Sequence, residues 1–492
     1  MFLGTRLARV PPGDLLVAFS RMTSRWVLAL GAAGVLLLAA CTSAPEEPQP
    51  AAEPRPTTTS VKQRTPTPPA TTAPRHTQPL VIAVHRTRGD LDASLALARR
   101  VVRGDQVTWS SLGAGPGSID VRRGSATVAA ATRDADVMAV VPASAVTPLV
   151  RVVSVDGVDP LRLPRRYPLQ TKASEPLPRV VEVTVVGDIM LGRRVASAPT
   201  SRQDPAAPLR PLQGRLAGAD LTVGNLESTL SMAGAPRQGV DSFAADPAVL
   251  TGLHDAGFDV VSLANNHTGD FGEVAFRRTL QRFAAGLIEQ VGAGLDRASA
   301  WRPTVVERRG VRFGFVAFNA IGETPAAQPR QPGVAQVRMQ PRTGPLSAAD
   351  LGRAERAIRG LEARVDVVIV IPHWGDQYTN VPVPGQRRVG RALLDAGADL
   401  VVGGHPHWVQ GVQVHRGGLV VHSLGNFVFD MDSSTQTQEG VMLDAVFWGR
   451  ELRAVDFVPY VIGPDFAPRL TDGERAVSIL DQVAVASDAP FD

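Results

Sequence analysis

From about residue 180 the chain repeats one device: an apolar run rich in β-branched residues ends, and polar or glycine residues follow at once. Val183-Thr184-Val185-Val186 leads to Gly187-Asp188, Leu221-Thr222-Val223 to Gly224-Asn225-Leu226-Glu227, and Val260-Val261-Ser262-Leu263-Ala264 to Asn265-Asn266-His267. Further on, Val367-Val368-Ile369-Val370-Ile371 leads to Pro372-His373-Trp374-Gly375-Asp376, and Leu400-Val401-Val402 to Gly403-Gly404-His405-Pro406-His407. Leu419-Val420-Val421 then leads to His422-Ser423-Leu424-Gly425-Asn426. Near-continuous apolar runs are what strands buried on both faces look like. Four of the runs follow an aspartate: Asp220, Asp259, Asp366 and Asp399. Between runs, the spacing predicts helices over residues 273–283, 349–361 and 386–394. The pattern predicts an α/β sandwich over residues 180–463 with one or two central sheets. Residues 464–492 read as a tail to which nothing is assigned.

The preceding sequence divides differently. Residues 80–175 alternate strand and helix signals: a strand at Leu80-Val81-Ile82-Ala83-Val84, a helix over 90–100, a Gly-rich turn over 113–117 and a strand at Val137-Met138-Ala139-Val140-Val141. They read as a small α/β domain, with a boundary in the proline-rich stretch 164–178. Val107-Thr108-Trp109 and Val155-Asp156-Gly157 resemble pieces of one lobe of a periplasmic solute-binding protein, and a spacer or docking domain fits the same residues. Residues 41–79 are rich in Pro, Thr, Ala and Glu, a composition that cannot bury a core and reads as a disordered tether. In residues 1–40, Arg21 and Arg25 precede a short apolar run, which is a signal-peptide pattern. The run is too short for a comfortable membrane span. It ends in Leu38-Ala39-Ala40-Cys41, which resembles a bacterial lipobox, where the cysteine carries the lipid. Either Met1 or Met22 serves as a start for such a signal. The expected location is therefore outside the cytoplasm, anchored to the cell membrane through Cys41.

Composition narrows the chemistry. Cys41 is the only cysteine, so an intramolecular disulfide and a thiolate zinc site are excluded. The 51 basic and 47 acidic residues nearly balance, with no Lys/Arg run interleaved with aromatics, and nucleic acid is not an expected partner. What stands out is where the histidines fall. In sheets of this kind ligands bind beyond the carboxyl ends of the strands. His267, His373, His405, His407 and His422 all sit there, whereas His254 and His415 read as surface residues. Imidazole, carboxylate and amide-oxygen donors suit Zn, Mn, Fe or Mg. His405-Pro406-His407 sets two rings on one loop, able to face one cation or two adjacent ones. Any of these alone has a bland reading, since Asp188 could cap a helix and Asn265-Asn266 could form a turn.

The motifs Gly187-Asp188-Ile189-Met190-Leu191-Gly192-Arg193, Asn225-Leu226-Glu227-Ser228, Ala264-Asn265-Asn266-His267, His373-Trp374-Gly375, Gly404-His405-Pro406-His407 and Ser423-Leu424-Gly425-Asn426-Phe427-Val428-Phe429-Asp430 resemble the CapA family. That family is associated with synthesis or export of poly-γ-glutamate capsule and is similar to calcineurin-like metallophosphatases. The resemblance implies a four-layer αββα sandwich and one or two divalent metal ions. It implies Asp188, Asn225, Glu227, Asn266, His373, His405 and His407 as metal ligands, with Glu227, alone or with Asn225, at the bridging position. It implies His267 as general acid or transition-state donor. Asp376, His422 and Asn426 are expected elsewhere in the cleft, and Trp374 either lines it or packs beside it. It also implies an anionic envelope polymer such as poly-γ-glutamate as partner, with a membrane synthase complex beside it. Met190 stands where the metallophosphatases carry a histidine ligand. The function expected is a metal-dependent, phosphoesterase-like envelope protein in capsule synthesis, attachment or export. The rival is a non-catalytic scaffold that holds the polymer or its synthase.

Overall fold

The computed structural model describes residues 76–492; the expected signal peptide, Cys41 and most of the expected tether lie outside them. The main region contains two sheets. The first runs Glu289–Val291, Val260–Ser262, Leu221–Leu226, Val180–Ile189, Glu439–Trp448, Glu451–Ile462 and Pro468–Leu470, with Asn426–Val428 also pairing Val180–Ile189. Its first four strands are parallel and the rest of that path antiparallel. The second runs Thr304–Arg308, Val311–Asn319, Val367–His373, Leu400–Val402, Gly418–Val421 and Val412–His415, parallel through its four central strands.

The two sheets face each other across one apolar layer. Val181, Val183, Val185, Leu221 and Val223 of the first meet Phe313, Phe315, Ile369, Ile371 and Val421 of the second. The alternate residues face outward. Val186 and Ile189 pack with Phe276 and Phe283 of the helix Gly272–Phe283. Val368 and Val370 pack with Ile358 of Ala348–Glu362 and Val389 and Leu393 of Pro384–Asp395. That is a four-layer αββα sandwich, in which both faces of each parallel strand are covered.

The repeated aspartates explain themselves at the opposite edge from the histidines. Asp220 accepts from the backbone N–H of Glu182 (2.9 Å), Asp259 from Thr222 (2.8 Å), Asp366 from Arg312 (2.9 Å) and Asp399 from Val368 (2.7 Å). Each carboxylate satisfies a donor on the neighbouring strand that the ladder leaves open.

Residues 76–173 form a small sheet of Asp120–Arg123, Val137–Pro142, His76–Val84, Arg151–Val152 and Gln170–Ala173. The helix expected over 90–100 occupies Leu95–Arg103 instead, because Ser94 caps it by accepting from Leu97 N–H. Val81, Ala83 and Val141 share an apolar cluster with Val446 and Trp448 of the main sheet, and Trp448 Nε1 donates to Leu161 O (2.8 Å). Residues 464–492 are built into the main region: Pro468–Leu470 extends the first sheet, and Ile479, Val483 and Phe491 enter the layer between the sheets. Their amphipathic spacing was readable, but without a motif it pointed to no place in the fold. Among the described residues, no helix is long and apolar enough to cross a membrane.

Candidate metal centre

Both sheets deliver polar side chains to the same edge. Asp188 lies at the end of Val180–Ile189, Asn225 and Glu227 at the end of Leu221–Leu226, and Asn265-Asn266-His267 just beyond Val260–Ser262. From the second sheet come His373, ending Val367–His373, and His405 and His407, beyond Leu400–Val402. A register shift between Val185 and Asp188 breaks the strand alternation just before the aspartate.

The side chains converge. Glu227, His373 and His405 offer ligand atoms within 4.8 Å of one another, as do Asp188, Glu227 and His407. Glu227 belongs to both triads. It lies 3.5 Å from His373 Nε2 and 3.7 Å from His267 Nε2 and has zero exposure. Neither of its oxygens, nor either ring nitrogen of His405, has a hydrogen-bond partner. Four buried polar atoms left without partners at one point would be costly in a dry core. They are the donor set that a divalent cation takes up, so the residues fit the implied metal. The electrostatics agree. Burial, helped by neighbouring Asp188, pushes the Glu227 carboxyl up to about 8. Burial raises Asp188 as well. It lowers His373 to about 4, lowers His407, and takes His405 well below the usual imidazole range. Neutral imidazoles are the form that binds metal.

A ring of amides aims these ligands. Asn225 donates to Asp188 Oδ1 (2.8 Å) and accepts at its own Oδ1 from Asn265 (3.0 Å). Asn265 is fixed in turn, accepting from the backbone N–H groups of His267 and Thr268. Asn225, expected among the ligands, therefore orients the Asp188 carboxylate, its oxygen already engaged. Asn266 Oδ1 is 2.8 Å from His373 Nε2, facing the cluster. Asn426 Oδ1 pairs with His407 Nδ1 (2.9 Å), which leaves Nε2 of that ring as the free nitrogen. The loop holding His405 and His407 takes positive φ at both, 96° and 58°. Such backbone is strained for non-glycine residues and clusters at functional sites. Gly404 before it has no room for a side chain: a Cβ there would come 2.5 Å from Asp188 Oδ1.

Three expected cleft residues fall elsewhere. Trap-door alternation along Val367–His373 sends Trp374 to the opposite face from His373, where it packs in the outer core and donates to His422 O (3.0 Å). His422 is buried near that ring, outside both triads, with burial lowering it to about 3. Asp376 is exposed in the following loop. Met190 also packs outward, in the helix-side core. His254 and His415 pair with Asp255 and Asp395 away from the cluster.

The sequence reading missed the partners of His267. Asp270 Oδ2 is 2.8 Å from His267 Nδ1 and also accepts from Phe243 N–H (2.6 Å). The Phe243 ring stacks on the imidazole at 3.7 Å, and the Arg193 guanidinium lies over the Phe243 ring at 4.3 Å from its centroid. A carboxylate three residues after the histidine was the one readable signal; Phe243 had none.

Residues 182–431, just over half of the chain, fit the family described as "Bacterial capsule synthesis protein PGA_cap". The capsule biosynthesis protein CapA of Bacillus anthracis is 30% identical over 319 residues, 64% of this chain and 74% of that one. The chain belongs to the PGA_cap family. The PGA biosynthesis protein CapA of Bacillus subtilis is 30% identical over 268 residues, covering 54% of this chain and 67% of that one. Among solved structures, a putative 5'-nucleotidase from Staphylococcus aureus aligns over 62% of this chain and 58% of its own, at 13% identity and a TM-score of 0.37. The CapA resemblance drawn from the motifs is thus met, and Asp188, Glu227, His267, His373, His405 and His407 all lie within the matched segment.

Proposed function

We propose that this PGA_cap protein is a divalent-metal-dependent, phosphoesterase-like hydrolase acting in synthesis, attachment or export of an anionic envelope polymer of the poly-γ-glutamate type. In this reading it works outside the cytoplasm, anchored by a lipid on Cys41, beside the membrane synthase. The observation that carries the proposal is Glu227, a carboxylate with no hydrogen-bond partner shared by two ligand triads.

Glu227, His373 and His405 would hold one cation and Asp188, Glu227 and His407 a second, with Asn266 beside the first. A cation bound there polarises a phosphoryl or acyl oxygen and acidifies a water. The chain's own contribution is proton management. Asp270 fixes Nδ1 of His267 as the proton-bearing nitrogen, which points Nε2 toward the Glu227 side of the cluster. From there His267 can hand a proton to a leaving group, and Asp270 stabilises the charged ring before transfer. Phe243, stacked on the imidazole, keeps water off its face.

Hydrolysis of a generic phosphodiester by the purified protein, with and without chelator, tests the proposal. Turnover that needs metal and disappears in His267→Ala while metal is retained supports it. Metal binding without turnover on phosphodiester or γ-glutamyl amide substrates supports the scaffold reading instead. That second reading is favoured by enclosure: Asp188, Glu227 and His405 are fully buried, and Asn266 and His267 are only 5% exposed.

A further inference from the structure

A second charged cavity lies between the small sheet and the main sheet, with a volume of about 510 Å³. Glu182 and Thr184 line it, near the start of the strand that carries Asp188 at its other end. At ~3.3 Å per residue, Thr184 is roughly 13 Å along the strand from Asp188. The cavity is therefore separate from the metal centre.

Its wall holds a cation without a counter-ion. Arg86 is 8% exposed. Its guanidinium donates to Pro148 O (2.9 Å) and Val455 O (2.8 Å) and lies over the Phe491 ring at 4.3 Å. Among the described residues it forms no ion pair. Asp90 is taken up by Arg151, and Asp456 by Arg162 at 2.8 Å and by Arg151 at 3.7 Å. The other acids of the cavity are also spent. Glu182 pairs with Arg162, Asp444 accepts from Arg215 and Thr184, and Asp159 accepts from the backbone of Leu161 and Arg162. Beside Arg86, Arg151 Nε is buried without a partner. Burial, then the nearby charge of Arg151, pulls Arg86 down to about 9, against the opposing pull of Asp456 and Asp90, and it is still protonated at neutral pH. A lone charge in such a place is expensive unless an anion joins it.

We propose that this cavity is a second ligand site, which binds a free carboxylate through Arg86 and Arg151. Guanidinium groups match a carboxylate in shape and charge, and the volume suits a molecule the size of an amino acid. The carboxylate comes either from a simple diacid or from an amino acid.

Thermal unfolding and calorimetric titration of the purified protein in chloride-free buffer test this, with glutarate, L-glutamate and 1,5-diaminopentane as probes. The carboxylates raise Tm and the diamine does not; a larger effect of L-glutamate than of glutarate identifies the amino acid as the source. Arg86→Met abolishes the carboxylate effect on Tm. Arg151→Gln weakens carboxylate binding about tenfold or more, and it decides the matter if Arg86→Met does not fold. Metal uptake is unchanged in Arg151→Gln, which separates this site from the metal centre. The proposal is overturned if no carboxylate shifts Tm at high millimolar concentration, or if the shift survives in the Arg151 variant.

Discussion

The carboxylate of Glu227 lies 3.5 Å from Nε2 of His373, and neither of its oxygens accepts a hydrogen bond from the protein. Two strands from different sheets are needed to bring these residues together, since Glu227 follows Leu221–Leu226 and His373 ends Val367–His373. The αββα stack thus does for the site what no local motif could: it joins two halves of a ligand set across the layer between the sheets.

Replacing Glu227 with Gln separates structure from binding. The amide matches the protonated carboxyl in size, so the metal-free protein keeps or slightly gains Tm. Metal affinity falls at least about tenfold, because both triads lose their shared anion. Metal content after dialysis, set beside thermal unfolding, checks both halves.

Acidity should act on the metal-free protein from two sides. Glu227, raised to about 8 from 4.5, contributes stability that is full below pH 4.5 and is lost as pH climbs through 8. His373, lowered to about 4 from 6.5, contributes stability that is full above pH 6.5 and is lost as pH falls through 4. Denaturant unfolding across pH 4–9, in the presence of chelator, should show these opposing losses, and Glu227→Gln should remove the alkaline one. Metal binding near pH 7 should release a proton, because Glu227 must ionise to bind; calorimetry in buffers of different ionisation heat measures it.

Much of this centre was legible because buried parallel strands write themselves as unbroken apolar runs, so their ends, and the histidines on them, could be found by eye. What could not be read was the direction of each side chain. Trp374 and His373 are neighbours in sequence yet face opposite layers, and the bulge before Asp188 is invisible in Val185-Val186-Gly187. Asn225 looked like a ligand because it stands near the bridging position of the resemblance, and only the fold brings Asn265, just beyond Val260–Ser262, onto its oxygen. Phe243 comes from a loop far from any motif, and only the fold lays it on His267. The terminal helix Gly473–Ala484 carries an apolar stripe that any surface would have accepted.

Gly404→Ala probes the loop directly. Its Cβ would come 2.5 Å from Asp188 Oδ1, and the carboxylate would have to move. The expected cost is about 1–3 kcal/mol in stability, with weakened metal binding, read by denaturant unfolding and metal titration.

Asp270→Asn tests the proton relay. The fold and metal content should persist, since Asp270 touches no ligand atom of the two triads. Turnover should fall about 10²-fold or more as His267 loses its charge partner.

The central claim is that Glu227 joins two triads around bound metal. Anomalous diffraction from crystals of the purified protein grown with Mn²⁺ tests it most directly. The account predicts a peak within coordination distance of Glu227, His373 and His405, and a second beside Asp188 and His407. No peak at Glu227 in crystals saturated with Mn²⁺, or metal bound only elsewhere, would contradict it.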